Sequence, residues 1–166
     1  MCNIRLSEDC TRKRNKIQMK QIKFNHNFLL AIKYGGKTQT RRLLKKHENT
    51  DAYPIVDDGH IKDYNFSNLW HDIKNYIEGH SKYQINDNVQ ITWNIDGALK
   101  KSLHLIKITN IRIEVIDDIS DKDVLREGFR TKAEFLDTIH EIYGTTKGYC
   151  FVYEFELVKF KEQDNE

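Results

Sequence analysis

Apolar residues recur along this chain in two rhythms, one helical and one alternating. From Asn25 to Tyr34 they follow a helical period, with Phe28, Leu29 and Ile32 on one face, Asn25 as the cap and Gly35 as the stop. Leu69, Trp70, Ile73, Tyr76 and Ile77 repeat at three and four, which predicts a second helix over 66–79 closed by Gly79. Ser120 to Asp123 can cap a short helix running to Arg126. Thr131-Lys132-Ala133-Glu134 is a capping box that opens a longer helix burying Phe135, Leu136, Ile139 and Ile142 and ending at Tyr143-Gly144.

Between these lie strand patterns. Gln21 to Phe24, Thr38 to Leu44 and Tyr83 to Trp93 favour extended structure, and Gly148 to Phe160 alternates strongly, with Tyr149, Phe151, Tyr153, Phe155 and Leu157 on one face. Leu103 to Ile116 is a long β-branched stretch with a phase slip. Ile106 and Ile108 share one parity, Ile111, Ile113 and Val115 the other, so a bulge is expected at Thr109-Asn110. Asn86 takes the place of a turn glycine before Asp87, whose carboxylate is expected to bond turn amides. Asp96-Gly97 reads as a tight turn. The order of patterns predicts an α+β domain, a small, mostly antiparallel β-barrel with the helices at 25–34 and 131–143 packed outside it.

Composition narrows the picture. With 166 residues, 39% of them hydrophobic, the chain suits one folded domain. Its 27 basic and 25 acidic residues leave a net charge of +2, so any nucleic-acid contact must come from a local patch. No apolar run is long enough to cross a bilayer, and the basic stretch 1–20 has no apolar segment behind it, which predicts no membrane partner. That stretch is read as an arm that is poorly ordered or precedes a start at Met19, with phosphate contact the alternative; the acidic tail 161–166 is read as disordered. Cys2, Cys10 and Cys150 show no CxxC spacing, which favours a reduced, cytoplasmic protein without structural zinc. The seven histidines show no paired ligand spacing either, so neither metal nor cofactor is expected.

One octet stands out: Gly35-Gly36-Lys37-Thr38-Gln39-Thr40-Arg41-Arg42, rich in donors and lacking acids, at a helix-to-strand junction. Helix followed by Gly-x-Lys-Thr-x-Thr-Arg resembles the signature of ASCH domains, a branch of the PUA-like β-barrel superfamily, in the double-arginine form met in phage and prophage proteins. Two further stretches fit in order: Tyr83 to Trp93, an aromatic, a turn and a strand, and Glu127-Gly128-Phe129 ahead of the capped helix. The resemblance covers 22–158 within a domain at 21–160, and residues 45–82 are an insertion relative to compact members. The bland expectation for that insertion is that Trp70 and Tyr76 pack its helix onto the barrel.

Small members of the family are amidohydrolases acting on N(4)-acetylcytidine. The resemblance then implies Lys37 as base, Thr40 as nucleophile and Glu127 as the acid that protonates the leaving amine. Arg42 or an amide near Gly36 would hold the oxyanion, with Thr38 and Arg41 also on the ligand. Since Lys37 and Thr40 differ in strand parity, Lys37 must lie in the loop, outside the pleat. Taken without the resemblance, Glu127 could equally pair with Arg126 or Arg130. Two rival readings stay open. As an RNA-binding module, the chain would set Lys37, Arg41 and Arg42 on phosphates and stack Tyr83 or Trp93 on a base; as a ribonuclease it would cleave RNA. The partner is thus a modified nucleoside or RNA. Oligomeric state is not legible.

Overall fold

In the computed structural model residues 19–44 and 66–158 are described, the side chains of 66–72 excepted. The arm at 1–18, the first part of the insertion, the side chains of Leu69 and Trp70 and the acidic tail lie outside the described residues.

Alternating apolar residues in β3 (Asn88–Ile95) and β4 (Ala98–Val115) build a hairpin joined at Asp96-Gly97. Both turn residues have positive φ, 50° and 77°, as a two-residue hairpin turn requires. β5 (Tyr149–Val158) runs antiparallel along the far half of β4, and β2 (Gln39–Leu43) runs antiparallel along β5. β1 (Gln21–Lys23) pairs with the other edge of β3, and among the described strands that pair alone is parallel. The sheet order is therefore β1-β3-β4-β5-β2. This is an α+β fold with a mostly antiparallel, curled sheet and flanking helices, a half-barrel rather than a closed one.

The curl follows from where the apolar side chains meet. Ile22 and Phe24 from one edge, Leu44 from the other, and Ile106, Ile108, Phe151, Tyr153 and Phe155 from the middle share one buried cluster. The edges must bend towards that face for those residues to touch. The phase slip on β4 resolves here: the register shifts between Ile108 and Asn110, and the bulge keeps Ile106, Ile108 and Ile111 on this inner face.

β5 has both faces buried. Phe151, Tyr153 and Phe155 enter the inner cluster, while Cys150 and Val152 enter a second one with Val124, Phe129, Phe135 and Ile139. This second cluster is roofed by α3 (Asp121–Arg126) and α4 (Lys132–Tyr143). Their caps are those expected. Ser120 Oγ accepts from the Asp123 amide, Thr131 Oγ1 accepts from the Glu134 amide, and Gly144 ends α4 at φ 72°. Burial on α4 is narrower than its pattern predicts. Phe135 and Ile139 are buried, but Ile142 is 64% exposed because that turn overhangs a cavity instead of the sheet.

Two helices touch the inner face. α1 (Phe28–Lys33) is shorter than 25–34, because Asn25 and His26 form a turn ahead of it, and Asn27 is its N-cap without a side-chain bond. Gly35 at φ 78° stops it. α1 does not simply pack outside: Ile32 enters the inner cluster, since an open barrel leaves that core uncovered. α2 (Phe66–His80) runs through Gly79 to His80 and lays Tyr76 in the same cluster, 6.3 Å from the Phe151 ring. Asn86 has φ 73°, and Asp87 accepts from the Gln84 amide at 2.7 Å as the turn reading required. Among the described residues no helix is long and apolar enough to cross a membrane.

Candidate functional site

Lys37 sits between α1 and β2, just outside the pleat. Three backbone bonds fix the segment. The Lys37 amide donates to Ala31 O at 3.0 Å, the Thr38 amide to Arg126 O at 2.9 Å, and the Phe155 amide to Thr38 O at 2.8 Å. The junction is thus tied to α1, α3 and β5 at once, and Lys37 must project inward.

Its ammonium is 4.7 Å from the centre of the Phe28 ring and 5.8 Å from that of Phe24, and the residue is 3% exposed. Nζ donates to the backbone oxygen of Glu127 at 2.5 Å and to its Oε2 at 3.0 Å. Glu127, the C-cap of α3, is 2% exposed. Gly128, at φ 85°, turns the chain there, and a Cβ on it would lie 3.2 Å from Phe28 and 3.4 Å from the Lys37 Cβ. Burial holds Lys37 below the ordinary lysine range. The attraction of Glu127 opposes this, and the charges of Arg42 and Arg41 reinforce it.

Strand parity separates the arginines. Thr40 and Arg42 pair with Tyr153 and Phe151 on the inner face, whereas Gln39 and Arg41 pair with Glu154 and Val152. Arg42 spans the open seam of the half-barrel. Its Nη2 donates to Lys23 O at 2.8 Å, and Nη1 donates to Thr40 Oγ1 at 2.9 Å and to Arg41 O at 3.0 Å. The guanidinium lies 5.6 Å from the Phe24 ring centre. A cavity of about 550 Å³ opens over this seam, lined by Lys37, Thr40, Arg42 and Glu127 together with Phe135, Ile139 and Ile142 of α4.

The structure thus brings Lys37, Thr40, Arg42 and Glu127 together. It sets other expected ligand residues elsewhere. Tyr83 is in the inner core, donating from its hydroxyl to Gln21 O at 2.7 Å; burial pushes that phenol up to about 12. Trp93 packs on the same core, with its indole nitrogen buried and without a hydrogen-bond partner. Tyr83 is 3% exposed and Trp93 is half-buried, and neither lines the cavity. Gly36 and Thr38 lie off the cavity wall, and Thr38 Oγ1 accepts from Arg126 Nε at 3.4 Å. Arg41 reaches the cavity wall but its side chain is 0% exposed and bonds three carboxylates, so it is no surface phosphate contact.

Two of those carboxylates, Glu114 and Asp123, were not legible as site residues. Arg41 donates to Glu127 Oε1 at 3.1 Å, Glu114 Oε2 at 2.5 Å and Asp123 Oδ2 at 3.2 Å. Arg112 pairs with Glu114, Asp123 and Glu154, and Arg126 with Asp123 and Glu154 rather than with Glu127. A faint signal existed: Arg112 and Glu114 alternate with Ile111, Ile113 and Val115, and Glu154 interrupts the apolar run from Tyr149 to Phe155. Among the described residues no cluster of three or more His, Cys, Asp or Glu could hold a metal ion. Burial pushes the Cys150 thiol up to about 12, which suits a core residue and not a nucleophile.

No family model and no curated protein matches the chain. Solved structures similar to it include protein EF3133 from Enterococcus faecalis V583, described under the family DUF984, at 16% identity and TM-score 0.45 over 77% of this chain. An ASCH domain from Lactobacillus crispatus JV V101 aligns at 16% identity and TM-score 0.47 over 76% of this chain and 67% of its own. The hypothetical protein PH0355 aligns at 13% and 0.47 over 85% of this chain and all of its own. The chain spans 64% of the length of the Enterococcus protein.

Proposed function

We propose that this chain is an ASCH-domain protein and a metal-independent amidohydrolase, acting on N(4)-acylated cytidine or a closely related modified nucleoside. One observation carries the reading: Lys37, Thr40 and Glu127 line a single cavity, with the lysine buried and held below its ordinary range. The signature Lys37-Thr38-Gln39-Thr40-Arg41-Arg42 supplies the family half of it.

The chemistry runs as acyl transfer to Thr40. The hydroxyl accepts from Arg42, which leaves its own hydrogen to donate. Neutral Lys37 takes that proton as Oγ1 bonds to the acyl carbon. The Arg42 guanidinium, bonded to Oγ1 at 2.9 Å, is the group assigned to hold the oxyanion that forms on the acyl oxygen. The carbon–N4 bond then breaks, Glu127 relays the proton from the Lys37 ammonium to the leaving amine, and cytidine departs. Water, deprotonated through the same pair, cleaves the threonine ester to the free acid. The Phe24 and Phe28 rings border the reacting groups, and apolar surroundings strengthen each of these electrostatic contacts.

A panel of N(4)-acylcytidines followed by chromatography tests the reading. Hydrolysis is expected to survive chelator, to fall by orders of magnitude in Lys37→Ala, and to be lost in a folded Thr40→Val. No turnover across the panel would falsify this substrate class. Salt-dependent RNA affinity that weakens in Lys37→Ala and Arg42→Ala would then favour the binding module, and RNA cleavage the nuclease.

A further inference from the structure

Behind the Lys37–Glu127 pair stands a lattice of charges. Arg41 is the one side chain among the described residues that touches both Glu127 and the outer carboxylates Glu114 and Asp123. Those two are gripped from the far side by Arg112, and Asp123 also by Arg126. Cations and anions alternate throughout.

We propose that Arg41 is a positioning residue: clamped by Glu114 and Asp123, its guanidinium fixes and neutralises the Glu127 carboxylate, which frees Lys37 to give up its proton. This rests on the amidohydrolase reading given above. The two oxygens of Glu127 are divided between partners, Oε1 to Arg41 and Oε2 to Lys37, so the plane of the carboxylate is set from both sides.

A buried carboxylate needs a counter-charge. With Lys37 as its sole partner, Glu127 would lock that lysine as an ammonium and no base would exist at neutral pH. Arginine stays protonated throughout the working range, so Arg41 supplies the counter-charge permanently. Lys37 is then the surplus cation of a three-group cluster, and its proton can leave without stranding Glu127. The groups facing Lys37 are Glu127 at the end of α3, Arg41 and Arg42 on β2, and the Phe24 and Phe28 rings from the end of β1 and from α1. Lys23, His26 and Tyr143 are the other ionisable groups on the cavity wall. Desolvation dominates the lowering of Lys37, with Arg42 and Arg41 adding to it against Glu127.

The test is a titration of Lys37 by NMR on lysine-labelled protein, alongside kcat against pH on an acylcytidine, in Arg41→Gln and Arg41→Lys. In Arg41→Gln, Lys37 must neutralise Glu127 alone. Its titration is expected to rise towards that of an ordinary lysine, the acid limb of kcat to move up by about one pH unit, and turnover at pH 7 to fall about tenfold with KM nearly unchanged. Arg41→Lys keeps the charge and loses the fork, so Lys37 should titrate near the wild-type position while kcat stays reduced. A folded Arg41→Gln whose Lys37 titration and acid limb coincide with wild type overturns the proposal. Should that variant not fold, Arg41→Lys decides: wild-type kcat there means that the guanidinium geometry positions nothing. If the wild type turns over no acylcytidine, the amidohydrolase reading fails, and the Lys37 titration in Arg41→Gln still decides the role of Arg41.

Discussion

Lys37 Nζ lies 3.0 Å from Glu127 Oε2 and 2.5 Å from the backbone oxygen of the same residue, although ninety positions of chain separate them. One side chain therefore reads both the charge and the backbone position of the α3 terminus. Displacing that terminus moves the carboxylate and the carbonyl together, so Lys37 and the end of the helix are mechanically one unit.

Glu127→Ala should destabilise more than Lys37→Met does. The first takes a partner from both Lys37 and Arg41, so Lys37 must shed its proton or stand unpaired, whereas after the second Glu127 keeps Arg41. Removing one partner of a buried pair costs about 3–5 kcal/mol, so Glu127→Ala is expected near the lower end and Lys37→Met below it. The double variant should be more stable than the sum of the two losses implies. Urea unfolding of all four proteins checks this, and strict additivity would show that the pair is not coupled.

Gly128→Ala is expected to cost about 1–3 kcal/mol, because its φ of 85° is disfavoured for a residue with a Cβ. The new methyl would also press on Phe28 and on the Lys37 Cβ. Turnover should then fall further than thermal stability predicts. A variant with wild-type activity and an unchanged melting point would contradict the close approach seen here.

Arg42→Ala removes the side chain that bridges β2 to the end of β1 and holds Thr40. A loss of about 1–2 kcal/mol is expected from its bonds to neutral acceptors. Hydrogen exchange should rise at the two edge strands and stay unchanged along the β4–β5 ladder. Uniform protection across the sheet would mean that the seam is held by something else.

Acid should weaken the fold through the outer lattice. Burial disfavours ionised Asp123, but the bond from Arg41 and the charges of Arg112, Arg41 and Arg126 hold its carboxyl below the ordinary value. Glu154 is likewise lowered against its burial, by Arg126 and Arg112. For carboxylates depressed in the folded state, the added stability is complete above their unfolded pKa of about 4 and is lost as pH falls through the folded values. The urea midpoint is expected to hold from pH 7 to about 5 and to drop below about 4. Arg126→Gln should make that drop shallower; an identical acid profile would remove Arg126 from the account.

Much of this was legible from local sequence. Helix caps at Ser120 and Thr131, stops at Gly35 and Gly144, the turn at Asn86 and the bulge after Ile108 each depend on a few adjacent residues and on backbone sterics. The octet at 35–42 marked the junction for the same reason: two glycines and a run of donors are visible without any partner. What local pattern could not contain was parity against the rest of the sheet. Arg41 and Arg42 are neighbours of like chemistry, yet one registers with Val152 and enters a lattice of carboxylates while the other registers with Phe151 and closes the seam. Tyr83 and Trp93 looked equally fit to stack on a ligand, but the fold buries Tyr83 in the core and packs Trp93, half-buried, against it. The partners of Arg41 come from β4 and from both ends of α3, and only the folding of those elements onto β5 gives a cation without acidic neighbours in sequence three carboxylate partners.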